Sequence, residues 1–301
     1  MNGKVQSFAG YQTDILASFV VDFINSTPSD QPFFVLYTPS SPHLPADDHR
    51  YSNLAISPVR TPNWNVQSSN APVYMQGSPL TQAELDKRDN NHKVMSWATR
   101  SLDDSVKTIL DSLGARATST LVVYLSDNGY LYGEHRRWAK QVPYEESVHV
   151  PMVVRYPRLR SESDPISSSA LVENVDIAAT IADLTAISWT TDGISLVPLL
   201  TGEASSVRTG LLIEHCVGAH LNRTPPSNKC DADFKNGVQS PVTGFYGIVT
   251  ARYKYLEYLD GEKELYDLTA DPYELTNHAG EPAWAQTQSD LASQLAKLKA
   301  G

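Results

Sequence analysis

The chain has 301 residues, of which 41% are hydrophobic and 19% are charged, and its formal net charge is −10 at pH 7. This length is enough for one large core, or for one core with a smaller domain beside it. The acidic balance argues against nucleic acid as a partner, because no basic patch is available to release counterions. No apolar run approaches the ~20 residues that a membrane span needs.

The first half of the chain predicts helices that alternate with strands. Apolar residues at helical spacing predict a helix over residues 13–25, and the apolar run 32–37 predicts a buried strand. Residues 46–80, which are rich in Pro, Ser and Asn, predict a long irregular segment. Thr81 and Glu84 then have the spacing of a capping box, which predicts the start of a long helix. A helix followed by a strand in this order is typical of an α/β sheet.

The polar signals concentrate in residues 120–151. The run 121–125 predicts a buried strand that stops at Asp127 and Asn128, whose side-chain oxygens are ligands that a hard divalent ion prefers. A cationic loop that includes Lys140 follows. Because α/β enzymes place their chemistry at the carboxyl ends of strands, this stretch predicts a site. Taken alone, Asp-Asn-Gly after a strand is also a common turn.

The last third of the chain predicts a small second domain. We expect an α/β domain over residues 1–205 and an antiparallel sheet with a terminal helix over residues 206–301. An Asp-Gly pair that begins at Asp260 predicts a hairpin turn. The remaining predicted elements are a helix over 174–187, strands over 211–214, 245–250, 253–258 and 263–268, and a helix over 283–299.

Two further features of the sequence bear on function. His43 lies in the segment PHLP, where the flanking prolines fix the backbone at the end of the predicted strand 32–37. That position favours a functional imidazole over a surface or capping histidine. The two cysteines, Cys216 and Cys230, either form a disulfide that closes a polar loop or remain two free buried thiols.

The order of these motifs resembles that of the sulfatase family, and within it the N-acetylglucosamine-6-sulfatase-type enzymes that act on sulfated sugars. The resemblance implies an alkaline-phosphatase-like mixed sheet flanked by helices, here N-terminally truncated. It also implies hydrolysis of a sulfuric ester on a sulfated sugar or aryl sulfate, and a secreted, periplasmic or lysosome-like compartment if an N-terminal signal is lost. The matching segments are GYQTDILASFVVDFI, PHLP, SDNGYLYGEH, VPMVVRYP, ENVDIAATIADL, DGISLVPLL, RYKYLEY and ELYDLTADPYEL.

The resemblance implies roles for four positions. Asp127 and Asn128 match two calcium ligands that follow the central strand of the family. His43 matches the histidine that contacts the sulfate, and Lys140 matches the lysine beside the scissile ester oxygen. A calcium ion, an ammonium and an imidazole would stabilise negative charge where it develops in the reaction. Three more side chains either contact substrate or hold the loop in place: Glu134, His135 and Arg136.

The chain also departs from the family pattern. Sulfatases carry a C/S-x-P-S/A-R motif whose Cys or Ser becomes formylglycine, the source of the nucleophile. The nearest string here, residues 26–30, has Asp30 in place of the arginine. The paired N-terminal aspartates that complete the calcium shell have no counterpart. We therefore expect the C-terminal portion of a sulfatase, without turnover of its own.

Two alternative functions remain open. A non-catalytic relative could keep a sulfated-glycan-binding cleft through His43, Lys140 and the neighbouring arginines. A phosphatase or phosphonate hydrolase of the same superfamily is the weaker alternative, because the contexts of PHLP and Lys140 resemble those of sulfatases. Substrate specificity is expected in loops such as residues 46–80, which carry no recognisable code. The sequence does not indicate the oligomeric state.

Overall fold

The computed structural model describes residues 3–45, 50–215 and 244–300. Cys216 and Cys230 lie outside the described residues, so neither the disulfide nor the pair of free thiols is tested. The domain boundary at residue 205 stays a prediction. The chain divides into two compact units that are interleaved in sequence: a first unit of Met1–Arg60, Thr81–Val122 and Tyr156–Arg158, and a second unit of Thr61–Leu80, Val123–Arg155 and Leu159–Gly301.

The first unit is built on two helices that pack against each other, α1 (Gln12–Ser26) and α2 (Gln82–Ser112). The predicted capping box opens α2: Glu84 N donates to Thr81 Oγ1 at 3.4 Å, and Thr81 N donates to Glu84 Oε2 at 2.8 Å. Small and aliphatic side chains line the helix contact, and Ala98 is fully buried. Both predicted helices are therefore confirmed.

The predicted buried strand over residues 32–37 is wrong. The segment is extended, but it belongs to no strand in the described part of the chain. Its side chains alternate: Phe34 and Leu36 are 72% and 75% exposed, whereas the Tyr37 hydroxyl donates to Thr13 O at 3.0 Å. An apolar run shows which residues can be buried, but it does not supply the neighbouring strand that a sheet requires.

The strands form two separate sheets. The first pairs β1 (Val122–Leu125) with β2 (Met152–Arg155). The second is antiparallel, in the order β3-β4-β5-β6, and confirms the four predicted C-terminal strands. Its turn has Gly261 at φ +92°, a conformation that favours glycine. The strands of the second sheet are β3 (Gly210–His215), β4 (Phe245–Thr250), β5 (Tyr253–Tyr258) and β6 (Lys263–Asp267).

In its described residues, the second unit also has four α-helices: α3 (Glu145–Val148), α4 (Asp176–Leu184), α5 (Val197–Thr201) and α6 (Ala285–Lys299). The longest, α6, packs on the antiparallel sheet as predicted. Among the residues that the structure describes, no helix combines the length and the apolar character that crossing a bilayer requires.

The antiparallel sheet is buried on both faces. One face packs against α6 through Ile248, Tyr255 and Leu265. The other face packs against the loop that follows β1, whose buried side chains are Leu131, Val142 and Tyr144. The Tyr144 hydroxyl donates to the buried carboxylate of Glu264 on β6 at 2.8 Å. The sheet therefore supports the loop between β1 and α3.

Candidate active site

The oxygen donors at the end of β1 and the predicted lysine lie together. The side-chain nitrogen of Asn128 donates to Gly129 O at 3.0 Å, which leaves its Oδ1 as an acceptor. Lys140 Nζ donates to that Oδ1 at 2.7 Å. Ser126 Oγ donates to Asn128 O at 2.7 Å and closes the turn. A fixed amide oxygen and an ammonium therefore lie side by side at the carboxyl end of a strand.

Gly129 fixes the path of the chain directly after these donors. Its N–H donates to Ser147 O at 2.9 Å, and a Cβ at this position would lie 2.1 Å from Glu146 O. Because both contacts involve the backbone of α3, no side-chain rotation could relieve the clash. Only glycine allows the strand end to approach α3 so closely.

The backbone around Lys140 is strained. Ala139 and Gln141, on either side of it, have φ values of +70° and +77°. The left-handed conformation costs a non-glycine residue roughly 1–2 kcal/mol. Such strain persists only where the surroundings impose the geometry, and it concentrates at functional sites. Leu131 and Ala139 impose it here, because each N–H donates to the other's carbonyl, at 2.6 and 3.0 Å.

Asp127 and Asn128 offer the oxygen ligands that calcium prefers. Asp127 is exposed, so its carboxylate is accessible to an ion, whereas the Oδ1 of Asn128 already accepts from Lys140 Nζ and keeps its second lone pair for an ion. A calcium ion takes ~6–8 oxygen ligands, so these two side chains would supply part of a shell.

His135 is 1% exposed and is held on three sides. The Ser68 hydroxyl donates to Glu274 O at 2.5 Å, so its oxygen accepts from His135 Nδ1–H at 3.1 Å. His135 Nε2 then accepts from Asn63 Nδ2 at 3.1 Å, and the ring stacks on Tyr144 at 3.9 Å. Burial lowers the pKa of His135 to about 3, aided by the Lys254 and Arg137 charges, so the ring is neutral. This geometry favours loop support over substrate contact.

Glu134 and Arg136 are also engaged with the protein. The Glu134 carboxylate, in a residue that is 7% exposed, accepts from Tyr132 N at 2.6 Å. The Arg136 guanidinium donates to the carbonyls of Asn65 and Gly77. These contacts tie the loop to residues 65–77 and favour the same supporting role.

A second set of donor atoms lies behind the loop. One ligand atom each of His135, Glu146 and Glu274 falls within 4.8 Å of the others. Lys254, which is fully buried, already places its ammonium 2.7 Å from Glu274 Oε1 and 2.7 Å from Glu145 Oε1. Although burial lowers the pKa of Lys254, the two carboxylates outweigh it and raise that pKa. The internal cation makes this group a structural ion network.

His43 belongs to the first unit and is exposed. Its Nδ1 lies 2.6 Å from Leu44 O, and because a carbonyl can only accept, Nδ1 is the donor of this hydrogen bond. This hydrogen bond orients the imidazole and leaves Nε2 for another partner.

The chain that carries these strand-end oxygens and the ammonium beside them has the alkaline-phosphatase-like fold of solved sulfatase structures. A solved structure described as a complex with its substrate D-glucosamine-2-N,6-O-disulfate has a TM-score of 0.77, covering 99% of this chain and 71% of that one at 21% identity. The family described as Sulfatase matches residues 1–187, and the one described as N-sulphoglucosamine sulphohydrolase, C-terminal, matches residues 233–301. The chain belongs to the sulfatase family.

Characterised relatives are longer than this chain. The N-acetylglucosamine-6-sulfatase of Bos taurus is 28% identical over 93% of this chain and 54% of its own length. The N-acetylglucosamine-6-O-sulfatase of Bacteroides thetaiotaomicron is 25% identical over 98% and 62%. The chain thus spans about half the length of the curated relatives it matches. A phosphonate monoester hydrolase of Silicibacter pomeroyi shares the fold, with a TM-score of 0.67 over 97% of this chain and 65% of that one at 21% identity.

Proposed function

We propose that the loop between β1 and α3 forms part of a sulfate-ester site, and that the function is hydrolysis of a sulfuric ester on a sulfated sugar. The observation that carries the proposal is the 2.7 Å contact between Lys140 Nζ and Asn128 Oδ1 at the end of β1. This contact supports the proposal because a chain of net charge −10 needs a local positive group to receive an anion, and the Lys140 ammonium is such a group.

Lys140 would receive the sulfate. The Lys140 ammonium, held by Asn128 and by the backbone pair Leu131–Ala139, would stabilise negative charge on the departing sugar oxygen. The ring of His43, which lies in the first unit, is oriented by Leu44 O and would contribute Nε2 as a separate ligand-binding group. Both contributions depend on side chains that are oriented before the ligand binds.

Asp127 and Asn128 would hold a calcium ion. When bound, the ion supplies positive charge to the sulfuryl oxygens. The exposed carboxylate of Asp127 and the fixed Oδ1 of Asn128 are the donors that this chain offers. Neutralising Asp127 would therefore weaken the binding of the calcium ion and of the anionic ligand together.

The names of the relatives indicate the sugar. The mammalian and bacterial relatives are described as acting on the 6-sulfate of N-acetylglucosamine, and one solved relative is described with a disulfated glucosamine. We therefore propose a 6-sulfated glucosamine derivative as the ligand of this site.

A second candidate function is binding of sulfated glycans without turnover. None of the 301 residues lies in a C/S-x-P-S/A-R motif, so the chain offers no residue for the formylglycine that the family uses. Binding residues alone would then act as a receptor for the sulfated sugar.

One experiment addresses both candidates. In calcium-containing buffer, the purified chain is titrated with N-acetylglucosamine 6-sulfate and with the 6-phosphate, and the release of sulfate and phosphate is followed. Both candidates predict tighter binding of the sulfate ester than of the phosphate ester. Hydrolysis also predicts release of sulfate, whereas binding without turnover predicts release of neither anion. Release of sulfate would therefore rule out the second candidate, and tighter binding of the phosphate ester would overturn the assignment to sulfate.

A further inference from the structure

Three aromatic side chains cluster on the loop that carries Lys140. Trp138 lies edge to face with Tyr130 and Tyr132, at ring-centroid distances of 5.2 and 6.1 Å and interplanar angles of 87° and 82°. The two tyrosine rings are 4.9 Å apart. All three residues are half-buried, unlike Leu131 between the tyrosines, which is fully buried.

The contacts of Leu131 explain why it is buried while the three aromatic residues are not. Leu131 and Ala139 form a single antiparallel bridge, which holds the chain at residue 131 beside the chain at residue 139. Leu131 contributes to the core against the antiparallel sheet. Tyr130 and Tyr132, on either side of Leu131, lie outside that core cluster and are only half-buried. The aromatic cluster therefore belongs to the outer side of the loop.

The cluster also adjoins the proposed sulfate site. Tyr130 is two residues after Asn128, and Trp138 is two residues before Lys140. Two residues span at most ~7 Å, which is comparable to the width of one sugar ring. The contact between Lys140 and Asn128 joins the same two segments of the loop. A sulfate at Lys140 would thus leave its sugar beside the aromatic rings.

We propose that Tyr130, Tyr132 and Trp138 form the platform on which the sugar ring of the sulfated ligand stacks. Aromatic faces carry partial negative charge and attract the polarised C–H groups on the apolar face of a pyranose. The tyrosine hydroxyls are polar groups that can bond the sugar hydroxyls, which an aryl sulfate lacks. This inference rests on the proposed function, because the sulfate at Lys140 orients the ring.

Calorimetric titration of the full chain in calcium-containing buffer tests the platform. The ligands are N-acetylglucosamine 6-sulfate, N-acetylglucosamine, inorganic sulfate and 4-nitrophenyl sulfate. The variants are W138A, the milder W138F, K140M and, as a matched control, W189A, since Trp189 is 65% exposed. Thermal unfolding verifies that each variant is folded.

We expect W138A to weaken the binding of the sugar sulfate by about tenfold or more while inorganic sulfate binds within about twofold of wild type. W138F should retain most of the affinity for the sugar sulfate, and W189A should retain all of it. K140M should weaken the binding of both the sugar sulfate and inorganic sulfate. The platform is overturned if W138A weakens inorganic sulfate as much as the sugar sulfate, or if the sugar sulfate binds no tighter than 4-nitrophenyl sulfate. If K140M leaves every affinity unchanged while W138A still weakens the binding of the sugar ligands, the proposed sulfate site at Lys140 is wrong and the aromatic platform is supported.

Discussion

Asn128 Oδ1 accepts a hydrogen bond from Lys140 Nζ at 2.7 Å, although the two residues are twelve positions apart. The contact joins an oxygen donor for a metal and a cation for an anion in one place. It depends on the orientation of the Asn128 amide, which the bond to Gly129 O sets. We propose that this pair, together with Asp127, receives the sulfate.

The close packing of Gly129 predicts a strong effect of a single methyl group. We expect G129A to lower the free energy of unfolding by about 1–3 kcal/mol, because its Cβ would overlap Glu146 O. Urea denaturation measures the change. The matched control is G77A, since a Cβ at Gly77 meets nothing within 4 Å. If G129A and G77A lowered the free energy of unfolding equally, α3 would have to shift and relieve the overlap at little cost.

His135 predicts a pH dependence of stability. Its pKa is about 3 in the folded chain and about 6.5 when unfolded, so below pH 6.5 the unfolded chain binds the extra proton. Stability from the neutral ring is complete above that pH and is lost as the pH falls towards 3. The loss is about 1.4 kcal/mol per pH unit, or about 2 kcal/mol between pH 6.5 and 5.

Urea denaturation of H135Q between about pH 7 and pH 5 checks this account. The variant should lose most of the acid sensitivity that the wild type shows. H149Q is the control, because hydrogen bonding to Glu145 raises the pKa of His149 and its contribution has the opposite sign. If H135Q kept the wild-type slope, the acid sensitivity would have to come from other groups.

Calcium should strengthen the binding of the sulfate ester through Asp127. We expect chelation of calcium to weaken the binding of N-acetylglucosamine 6-sulfate to the wild type, and D127N to bind it equally weakly with or without calcium. Calorimetry with and without chelator gives both values. E203Q, which removes an exposed charge elsewhere, should behave like the wild type. If calcium still strengthens the binding of the sulfate ester to D127N, Asp127 is not a calcium ligand.

Local patterns predicted the regular elements well. The capping box at Thr81, the C-terminal strands and the terminal helix all lie close to their expected positions, because each is specified by neighbouring residues. The segment 32–37 failed for the opposite reason. Its apolar run is real, but strand formation depends on pairing partners elsewhere in the chain.

The environment of the candidate site could not be predicted in the same way. His135 is held by Asn63 and Ser68 and lies beside Glu274, contacts that span tens to more than a hundred positions. Lys254 alternates with apolar residues in β5 and has the sequence pattern of an exposed strand residue, yet it is fully buried between two carboxylates. Only the fold brings such partners together. The aromatic spacing of Tyr130, Tyr132 and Trp138 was visible, but its meaning required the bridge between Leu131 and Ala139.

The affinity of K140M for N-acetylglucosamine 6-sulfate in calcium-containing buffer tests the proposed sulfate site without involving the other residues. Methionine keeps the length of the side chain and removes the ammonium that contacts Asn128. We predict at least about a tenfold loss of affinity, equivalent to about 1.4 kcal/mol, with an unchanged urea midpoint. An affinity equal to that of the wild type, in a variant that is equally stable, would contradict the assignment of Lys140 and its neighbours as the sulfate site.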